Sequence, residues 1–472
     1  MRRLLVIAAV CLLGAGLPAV RVHAQEPTGV TAKTPIEHLI VMMQENHTFD
    51  NYFGTFPGAD GIPEGTCMPV DPDVPNGAGC IEPFHIGSND VKLGDLDHSA
   101  ATSRRQYNGG RLNGFVSALN ARDQDGRLAM GYYDERDLPY HWFLARNYVL
   151  FDRFFSSAST GSMENHVFAV GASTMEAPEP PRKPGQRGDL PNVRTVLDNS
   201  LPTIFDRLEE KGISWKFYVQ NYDPKLTYRT ASQYPGDRAS QVVWVALLNI
   251  DRFLDDPKLN SHIVDLDQYY EDLRNGTLPA VAYISPSGAS EHPPGSLMSG
   301  QRGVQTLINA LQRSSAWPTS AFLLTYDDWG GWFDHVPPPQ VDKDGYGFRV
   351  PAILVSPYAA QGAIDHTEMD FTSILRFIED NYDLAPLSTR DAKANSLAMA
   401  LDFSQTPREP YFWTGNSQIT ALKLSSRRSV VYAAYGSGLA LAVVALAALA
   451  VWQRRRPAGQ RRGLAQQQAG SR

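Results

Sequence analysis

Two short apolar runs, far apart along the chain, each end in a pair of oxygen-bearing side chains. Residues 38–44 run directly into Glu45-Asn46, and residues 321–326 run directly into Asp327-Asp328. Short apolar runs bounded by turn signals predict buried strands of an α/β sheet. Ligands of open α/β sheets bind just beyond the carboxyl ends of such strands. Three carboxylates and one amide at that edge predict a cation site of hard oxygen ligands.

The rest of the chain alternates between strand and helix patterns. Further strands are predicted at residues 213–219, 280–285 and 350–355, with 147–155 as a further candidate. Helical patterns lie between several of them, at residues 201–211, 304–313 and 370–382, and Asp370 is the expected N-cap of the last. Three segments rich in Pro, Gly and Asp are predicted loops: 57–95, 172–200 and 221–240. This alternation predicts one α/β domain with a largely parallel sheet covered on both faces.

Both ends of the chain carry targeting patterns. Residues 1–24 have a basic start, an apolar stretch and a small-residue cleavage motif, which predict a signal peptide. Residues 430–452 are uncharged and apolar, and they predict one transmembrane helix, with a buried core helix as the alternative. The arginines that follow place residues 453–472 in the cytoplasm. We therefore expect residues 25–404 to form an extracytoplasmic domain at the cell membrane, with residues 405–429 as a spacer.

Charge and cysteine content narrow the class of protein further. The formal net charge is −7, but residues 1–24 and 425–472 contain eleven arginines and no acidic residue, so the exported portion carries about −18. This negative net charge of the exported portion argues against nucleic-acid binding, which requires a positively charged surface. Outside the predicted signal peptide only Cys67 and Cys80 remain. In an oxidising compartment they predict a disulfide, with a pair of free thiols as the alternative.

Two polar segments leave structural and functional interpretations open. Residues 44–54 are either metal ligands or the start of a helix that is capped without a metal. In residues 327–339, the adjacent carboxylates of Asp327-Asp328 repel each other, so an ionised pair calls for a cation. Gly330-Gly331 allows a sharp turn that can return Asp334-His335 to the same site. A solvated acidic turn is the alternative for this second segment.

A serine and two histidines complete the set of candidate residues. Ser162 follows the strand candidate 147–155 among small residues, where its hydroxyl can lie at a helix N-terminus. Taken alone, the pattern is more typical of a helix N-cap, and it does not match the Gly-x-Ser-x-Gly motif of esterases. His98 and His292 each lie beside an acid in a predicted loop.

Together these segments resemble the bacterial phosphoesterase family that contains phospholipases C and Francisella-type acid phosphatases. Residues 45–54 resemble the family's opening signature, and four further segments resemble its other motifs in the same order: 95–98, 161–165, 291–293 and 325–339. The resemblance covers about residues 36–385. It implies an alkaline-phosphatase-like α/β/α sandwich with a mostly parallel central sheet, here with one C-terminal transmembrane helix added, and hydrolysis of phosphate esters.

The resemblance also implies roles for individual residues. It implies one or more divalent metal ions of undetermined identity, bound by Glu45, Asn46, Asp327 and Asp328. It implies that Ser162 is a nucleophile that passes through a phosphoserine intermediate. His98 and His292 are expected to bind phosphate oxygens or to protonate the leaving group. Asn165 and His335 are the expected substrate-contacting neighbours.

Two departures from the phospholipase C branch favour an acid-phosphatase-like phosphomonoesterase. Ser162-Met-Glu stands where that branch typically has a threonine followed by Pro-Asn-Arg, and the large C-terminal β-domains are replaced by the predicted anchor. Phospholipase C activity on phospholipid headgroups is the alternative, because the anchor holds the domain near lipid. A non-catalytic surface binding protein is a third hypothesis. It predicts loss of a metal or nucleophile position, and all of these positions are present.

Overall fold

The computed structural model describes residues 31–74, 79–87, 93–174, 197–234 and 240–415. The strands in this part of the chain are β1 (His38–Gln44), β2 (Met68–Pro69), β3 (Cys80–Ile81), β4 (Phe84–His85), β5 (Gly131–Tyr132), β6 (Val149–Phe151), β7 (Trp215–Val219), β8 (Ile263–Asp265), β9 (Val281–Ser285), β10 (Ser320–Tyr326), β11 (Ala352–Val355) and β12 (Ile364–Asp365). The α-helices are α1 (Phe49–Phe53), α2 (Ala100–Tyr107), α3 (Phe115–Asn120), α4 (Pro139–Asn147), α5 (Ser162–Gly171), α6 (Ile204–Lys211), α7 (Ser240–Trp244), α8 (Asp251–Asp255), α9 (Pro257–Asn260), α10 (Asp267–Asn275), α11 (Leu297–Gln312) and α12 (Phe371–Tyr382).

The central sheet has the order β12-β6-β11-β10-β1-β9-β7-β8. Every neighbouring pair is parallel except the two pairs that involve β11. All strands of this sheet except β11 therefore run in one direction, which confirms the expected α/β class with a mostly parallel sheet. Gln44 at the end of β1 pairs with Tyr326 at the end of β10. This register places the two acidic strand ends side by side at the same edge.

The sheet is covered on both of its faces. β9, β10 and β11 are buried at every residue, and β1 is buried at every residue after His38. Continuous burial is typical of parallel strands that lie between two layers of helices. Contacts among the helices include two larger groups, one with α5, α6, α7 and α12 and one with α4, α10 and α11, and two pairs, α2 with α3 and α8 with α9. This is the layered arrangement that the strand and helix alternation predicts.

Most predicted elements are present, with shifted ends. β1 has the predicted bounds, whereas the 147–155 candidate is a strand only in β6. The predicted cap of α12 is confirmed, because the Asp370 side chain accepts a hydrogen bond from the backbone of Thr372. α11 begins at Leu297, seven residues before the predicted start at residue 304, and the side chain of Ser296 caps its first turn. Gly300 and Gly303 hide this first part of the helix, since glycine weakens a helical pattern.

Outside the central sheet, the predicted disulfide is confirmed. A disulfide joins Cys67 to Cys80 with a Cα–Cα distance of 5.4 Å, and the predicted loop 57–95 contains the short strands β2, β3 and β4. No helix among the described residues is long and apolar enough to cross a bilayer. The predicted signal peptide and the predicted span at 430–452 lie outside the described residues.

Candidate active site

The carboxyl ends of three parallel strands deliver the predicted ligands and nucleophile to one edge of the sheet. Glu45-Asn46 follows β1, Asp327-Asp328 follows β10, and the segment after β6 leads into α5, which starts at Ser162. The two acidic pairs are fully buried, whereas Ser162 is half-buried. A buried charged cluster below a partly accessible hydroxyl is an arrangement suited to a reactive site.

Direct contacts hold these segments together. The backbone N–H of Asn46 donates to Oδ1 of Asp327 at 2.9 Å, and the backbone N–H of Asp327 donates to the Gln44 carbonyl at 3.0 Å. Oγ of Ser162 donates to Oδ2 of Asp328 at 3.3 Å. The structure therefore brings the predicted metal ligands and the predicted nucleophile into one cluster.

The backbone around this cluster is unusually close-packed. Asn46 has a φ of 63°, in the left-handed region that asparagine adopts more readily than most residues. Gly330 has a φ of 59°, and an added Cβ there would lie 2.2 Å from the Asn46 carbonyl oxygen. The backbone N–H of Gly330 also donates to Oδ1 of Asp328 at 2.7 Å. Only a glycine fits at position 330 without moving the loops that carry Asn46 and Asp328.

His166 is a member of the cluster that sequence reasoning did not select. Its Nε2 lies 2.9 Å from Oε1 of Glu45 and 4.0 Å from Oδ2 of Asp327. Burial lowers the pKa of His166 to about 4, so the imidazole is neutral near pH 7 and can act as a ligand. Its spacing from Ser162 is the sequence signal that could have indicated this position. Ser162 begins the helix that contains His166, and residues four apart on a helix share a face.

The cluster carries more acceptor atoms than the described residues satisfy. Glu45 Oε2, Asn46 Oδ1 and Asp327 Oδ2 are buried and have no hydrogen-bond partner in the described part of the chain. Burial, with the nearby carboxylate of Asp327, raises the pKa values of Glu45 and Asp328 well above their usual range. Unpaired oxygens and crowded carboxylates are what a divalent cation satisfies, so these residues fit such a metal.

The two predicted histidines lie beside the nucleophile. His98 and His292 donate through Nδ1 to the carbonyl oxygens of Leu96 and Pro293, at 2.8 and 2.7 Å, which leaves Nε2 of each ring for a ligand. Their ring centroids are 6.1 Å apart. Burial lowers the pKa of His98, but the carboxylates of Asp328 and Asp95 outweigh it and raise the value to about 9. A cationic His98 suits the binding of a phosphate oxygen.

Asp95, another residue that the sequence did not single out, contacts both His98 and one of the predicted cation ligands, Asn46. Its Oδ1 accepts from the Asn46 side chain at 3.4 Å and lies 3.6 Å from Nδ1 of His98. Ligand atoms of Asp95, His98 and His292 all lie within 4.8 Å of one another. The carboxylate thus borders both halves of the site.

Asn165 and His335, the two predicted substrate contacts, have other partners. Asn165 is fully buried and donates through Nδ2 to the carbonyls of Thr160 and Gly161, at 3.0 and 3.1 Å, so it braces the loop before Ser162. His335 lies instead in a cluster with Asp50, where Nδ1 is 2.7 Å from a carboxylate oxygen. Substrate contact by either residue stays a prediction.

The sequence model of the Phosphoesterase family matches residues 36–385. The chain belongs to the phosphoesterase family. Among the similar relatives of this phosphoesterase is phospholipase C B of Mycobacterium tuberculosis, 28% identical over 431 residues that cover 79% of each chain. The non-hemolytic phospholipase C of Pseudomonas aeruginosa is 26% identical, over 80% of this chain and 58% of that protein. Non-specific phospholipase C1 of Arabidopsis thaliana is 26% identical, over 82% of this chain and 74% of that protein.

Solved structures resemble the phosphoesterase more remotely. A protein in the alkaline phosphatase superfamily from Vibrio parahaemolyticus is 14% identical, with a TM-score of 0.32 over 75% of this chain and 70% of that chain. A phosphonate monoester hydrolase of Agrobacterium radiobacter is 10% identical, with a TM-score of 0.37 over 80% and 78%. Family membership rests on the sequence match, and it makes the protein a hydrolase of phosphoric ester bonds.

Proposed function

We propose that this phosphoesterase is a phospholipase C that cleaves the phosphodiester bond between a lipid's glycerol and its headgroup. The observation that carries the chemistry is the hydrogen bond from the Ser162 hydroxyl to Asp328, in a buried cluster where Glu45 and Asp327 each have a carboxylate oxygen without a partner among the described residues. The named relatives favour a diester substrate, because they are phospholipases C. They give no specific support to the hypothesis of an acid-phosphatase-like phosphomonoesterase, which the sequence differences from the phospholipase C branch favour.

A divalent cation fits between the two acidic strand ends. The residues proposed to hold it are Glu45, Asn46, Asp327 and Asp328, with His166 beside them. When bound, such a cation lowers the pKa of a nearby hydroxyl and offsets the charge of a phosphate. His166 contributes a neutral ring, which adds no further charge to a crowded acidic site.

Ser162 is proposed to act as the nucleophile. It is the first residue of α5, so backbone N–H groups of the first helical turn face the same region as its hydroxyl. Oγ passes its proton to Oδ2 of Asp328, its hydrogen-bond partner, and forms a bond to phosphorus. The bond from phosphorus to the glycerol oxygen breaks, and that oxygen takes a proton from an imidazole. Water then attacks the phosphoserine and gives a proton back to the imidazole, while the bond from phosphorus to Oγ breaks, Oγ recovers its proton from Asp328, and the phosphorylated headgroup is released.

His98 and His292 are proposed to contact the phosphate and to supply the leaving-group proton. An added Cβ on Gly161 would lie 3.5 Å from the His98 ring and 3.8 Å from Oδ2 of Asp328, so the histidine and the carboxylate face the same turn. The second histidine lies within the same small cluster. The proximity of both histidines to the turn before Ser162 supports this role.

The proposal is tested with the full-length protein on p-nitrophenylphosphorylcholine and p-nitrophenyl phosphate. We expect the diester to be preferred, activity to disappear on chelation, and Ser162→Ala to lower kcat by about 10³-fold or more. Ser159→Ala is the matched control, because its hydroxyl contacts Ser103 at 2.6 Å and not the acidic cluster. A preference for the monoester would restore the acid-phosphatase reading, and full activity of Ser162→Ala would overturn the mechanism.

A further inference from the structure

Glu291 is a buried carboxylate that accepts three hydrogen bonds from other side chains. Its side chain accepts from the hydroxyls of Tyr52 and Tyr326, at 2.7 Å each, and from Nε2 of His141 at 3.0 Å. All four residues are at most 1% exposed. Burial raises the pKa of Glu291, but His141 and the hydroxyl donors outweigh it, so the carboxyl is ionised.

The donors come from separate parts of the fold. Tyr52 lies in α1, His141 in α4 and Tyr326 at the end of β10, and Glu291 itself lies in the loop before α11. The Gln44 side chain at the end of β1 adds a fourth link, because its Oε1 accepts from the backbone N–H of Glu291 at 3.1 Å. These five residues are called the Glu291 cluster below.

Three members of the Glu291 cluster directly precede residues of the candidate active site. Gln44 precedes Glu45, Tyr326 precedes Asp327, and Glu291 precedes His292. The side chain of each member therefore fixes the start of one site segment relative to the other two. The cluster lies immediately behind the cation ligands and one of the two histidines.

The packing around Glu291 leaves no room for adjustment. An added Cβ on Gly300 would lie 2.1 Å from Cγ of Glu291, so α11 presses directly on this side chain. The Glu291 carbonyl also lies 3.3 Å from Nε2 of the buried His47. A change in the position of the Glu291 carboxylate must therefore move the backbone that carries His292.

A buried carboxylate is unfavourable for the free energy of folding, because the charged group loses its hydration. Apolar side chains of similar volume often give equal or greater stability than a buried charged group. What a buried hydrogen-bond network adds is a defined geometry, and displacement of a catalytic group by about 1 Å can cost about 10²-fold in rate. The Glu291 cluster joins the ends of β1 and β10 to the loop that carries His292. The hydrogen bonds of the cluster therefore determine how His292 lies relative to the residues that follow β1 and β10.

We infer that Glu291 is a positioning residue that holds His292 in register with the cation ligands. This inference rests on the proposed function, since it assigns Glu291 a part in the same reaction. It acts through His292 and does not touch the substrate.

The test is a double-mutant cycle on the full-length, cation-loaded protein. Glu291→Gln keeps the shape of the side chain but places an amide N–H₂ where a donor now points. We expect kcat for p-nitrophenylphosphorylcholine to fall about 10- to 100-fold, with KM changed less than about threefold. The effect is expected to disappear in a His292→Ala background, because a residue that acts through His292 has nothing left to position.

A second readout separates this inference from the proposed function. Binding of inorganic phosphate, measured by calorimetry, is expected to weaken about tenfold in Glu291→Gln and not to weaken further when His292→Ala is already present. If the wild-type protein binds phosphate but does not cleave the diester, the proposed function fails while this coupling still shows the positioning role.

Controls guard against a purely structural effect. Glu379→Gln removes another buried carboxyl, in α12, and is expected to leave both readouts unchanged. If Glu291→Gln does not fold, Tyr52→Phe removes a single donor, and a several-fold fall in kcat that vanishes in the His292→Ala background is expected. Effects that multiply independently in the cycle, or a kcat within twofold of wild type, would overturn the inference.

Discussion

Two clusters of buried carboxylates in this phosphoesterase differ in what balances their charge. In one, Asp50 and Asp334 surround the fully buried Arg349, which donates to them at 3.0 and 2.8 Å. In the other, Glu45, Asp327 and Asp328 form no ion pair with a lysine or arginine of the described residues, and several of the cluster's oxygens have no partner there. A cluster that the chain neutralises itself is a structural element. A cluster that it leaves charged is prepared for a ligand.

In a third buried pair of carboxyl groups, Glu379 and Asp391, the negative charge is balanced in another way. Glu379 is 2% exposed, and neither of its carboxylate oxygens has a hydrogen-bond partner among the described residues. Burial and the neighbouring carboxyl of Asp391 raise the pKa of Glu379 to about 9. Asp391 meanwhile accepts from the backbone N–H groups of Leu387 and Ser388, at 2.7 and 2.8 Å. Here a proton takes the place of the arginine or the cation.

The largest expected effect is in the cluster that has no lysine or arginine partner among the described residues. We expect Asp328→Asn to lower diesterase activity by about 10³-fold or more, because it removes a cation ligand and the partner of the Ser162 hydroxyl. The melting temperature of the cation-free protein is expected to stay level or rise, since repulsion with Asp327 is relieved. Kinetics and thermal melting measure the two effects, and Asp342→Asn on the exposed part of the same loop is the control. An active Asp328→Asn protein would remove the distinction between the clusters.

A large loss of stability is expected in the cluster that contains the arginine. Arg349→Met leaves Asp50 and Asp334 buried without their partner, which is expected to cost about 3 kcal/mol in the free energy of unfolding at pH 7. Burial, only partly offset by Arg349, already raises the pKa of Asp334 to about 6, so the loss is expected to be smaller at pH 5, where Asp334 can protonate. Urea unfolding at both pH values measures it.

The matched control for that experiment is an exposed arginine. Arg127 pairs with Asp125 at the surface, and Arg127→Met is expected to leave the free energy of unfolding unchanged. Equal losses in the two variants would mean that burial of the ion pair is unimportant.

The last expected effect is a pH dependence that comes from the proton carried by Glu379 in the folded state. The folded-state pKa of Glu379 is about 9 and the ordinary value is 4.5, so wild-type stability should fall as pH rises between these values. The slope contributed by this group is at most about 1.4 kcal/mol per pH unit. Glu379→Gln removes the titrating group, so the variant should gain stability relative to wild type as the pH increases.

Thermal melting from pH 5 to pH 9 measures this difference, with the exposed Glu409→Gln as the control. A constant offset between wild type and Glu379→Gln across that range would show that Glu379 does not carry a proton in the folded state.

The sequence contained the acidic strand ends, Ser162 and the two histidines, because each belongs to a local pattern of apolar runs and turns. It could not show the partners that only the folded sheet creates. His166 meets Glu45 across 121 residues, Glu291 meets Tyr52 across 239, and Arg349 meets Asp50 across 299. Such pairs depend on strand order and register, which apolar periodicity does not encode. For the same reason the sequence placed Asp334-His335 near the acidic pair, whereas the structure groups them with Arg349.

The reversed direction of β11 has a practical consequence for redesign. A parallel successor to β10 would need a crossover that carries the chain to the opposite edge of the sheet. Because β11 runs back beside β10, residues 327–351 leave and return at a single edge, with Asp327-Asp328 at the start of the segment and Arg349 near its end. An engineer could exchange this segment for that of a relative as one unit, transferring two of the proposed cation ligands together with Arg349 while the strand order stays intact.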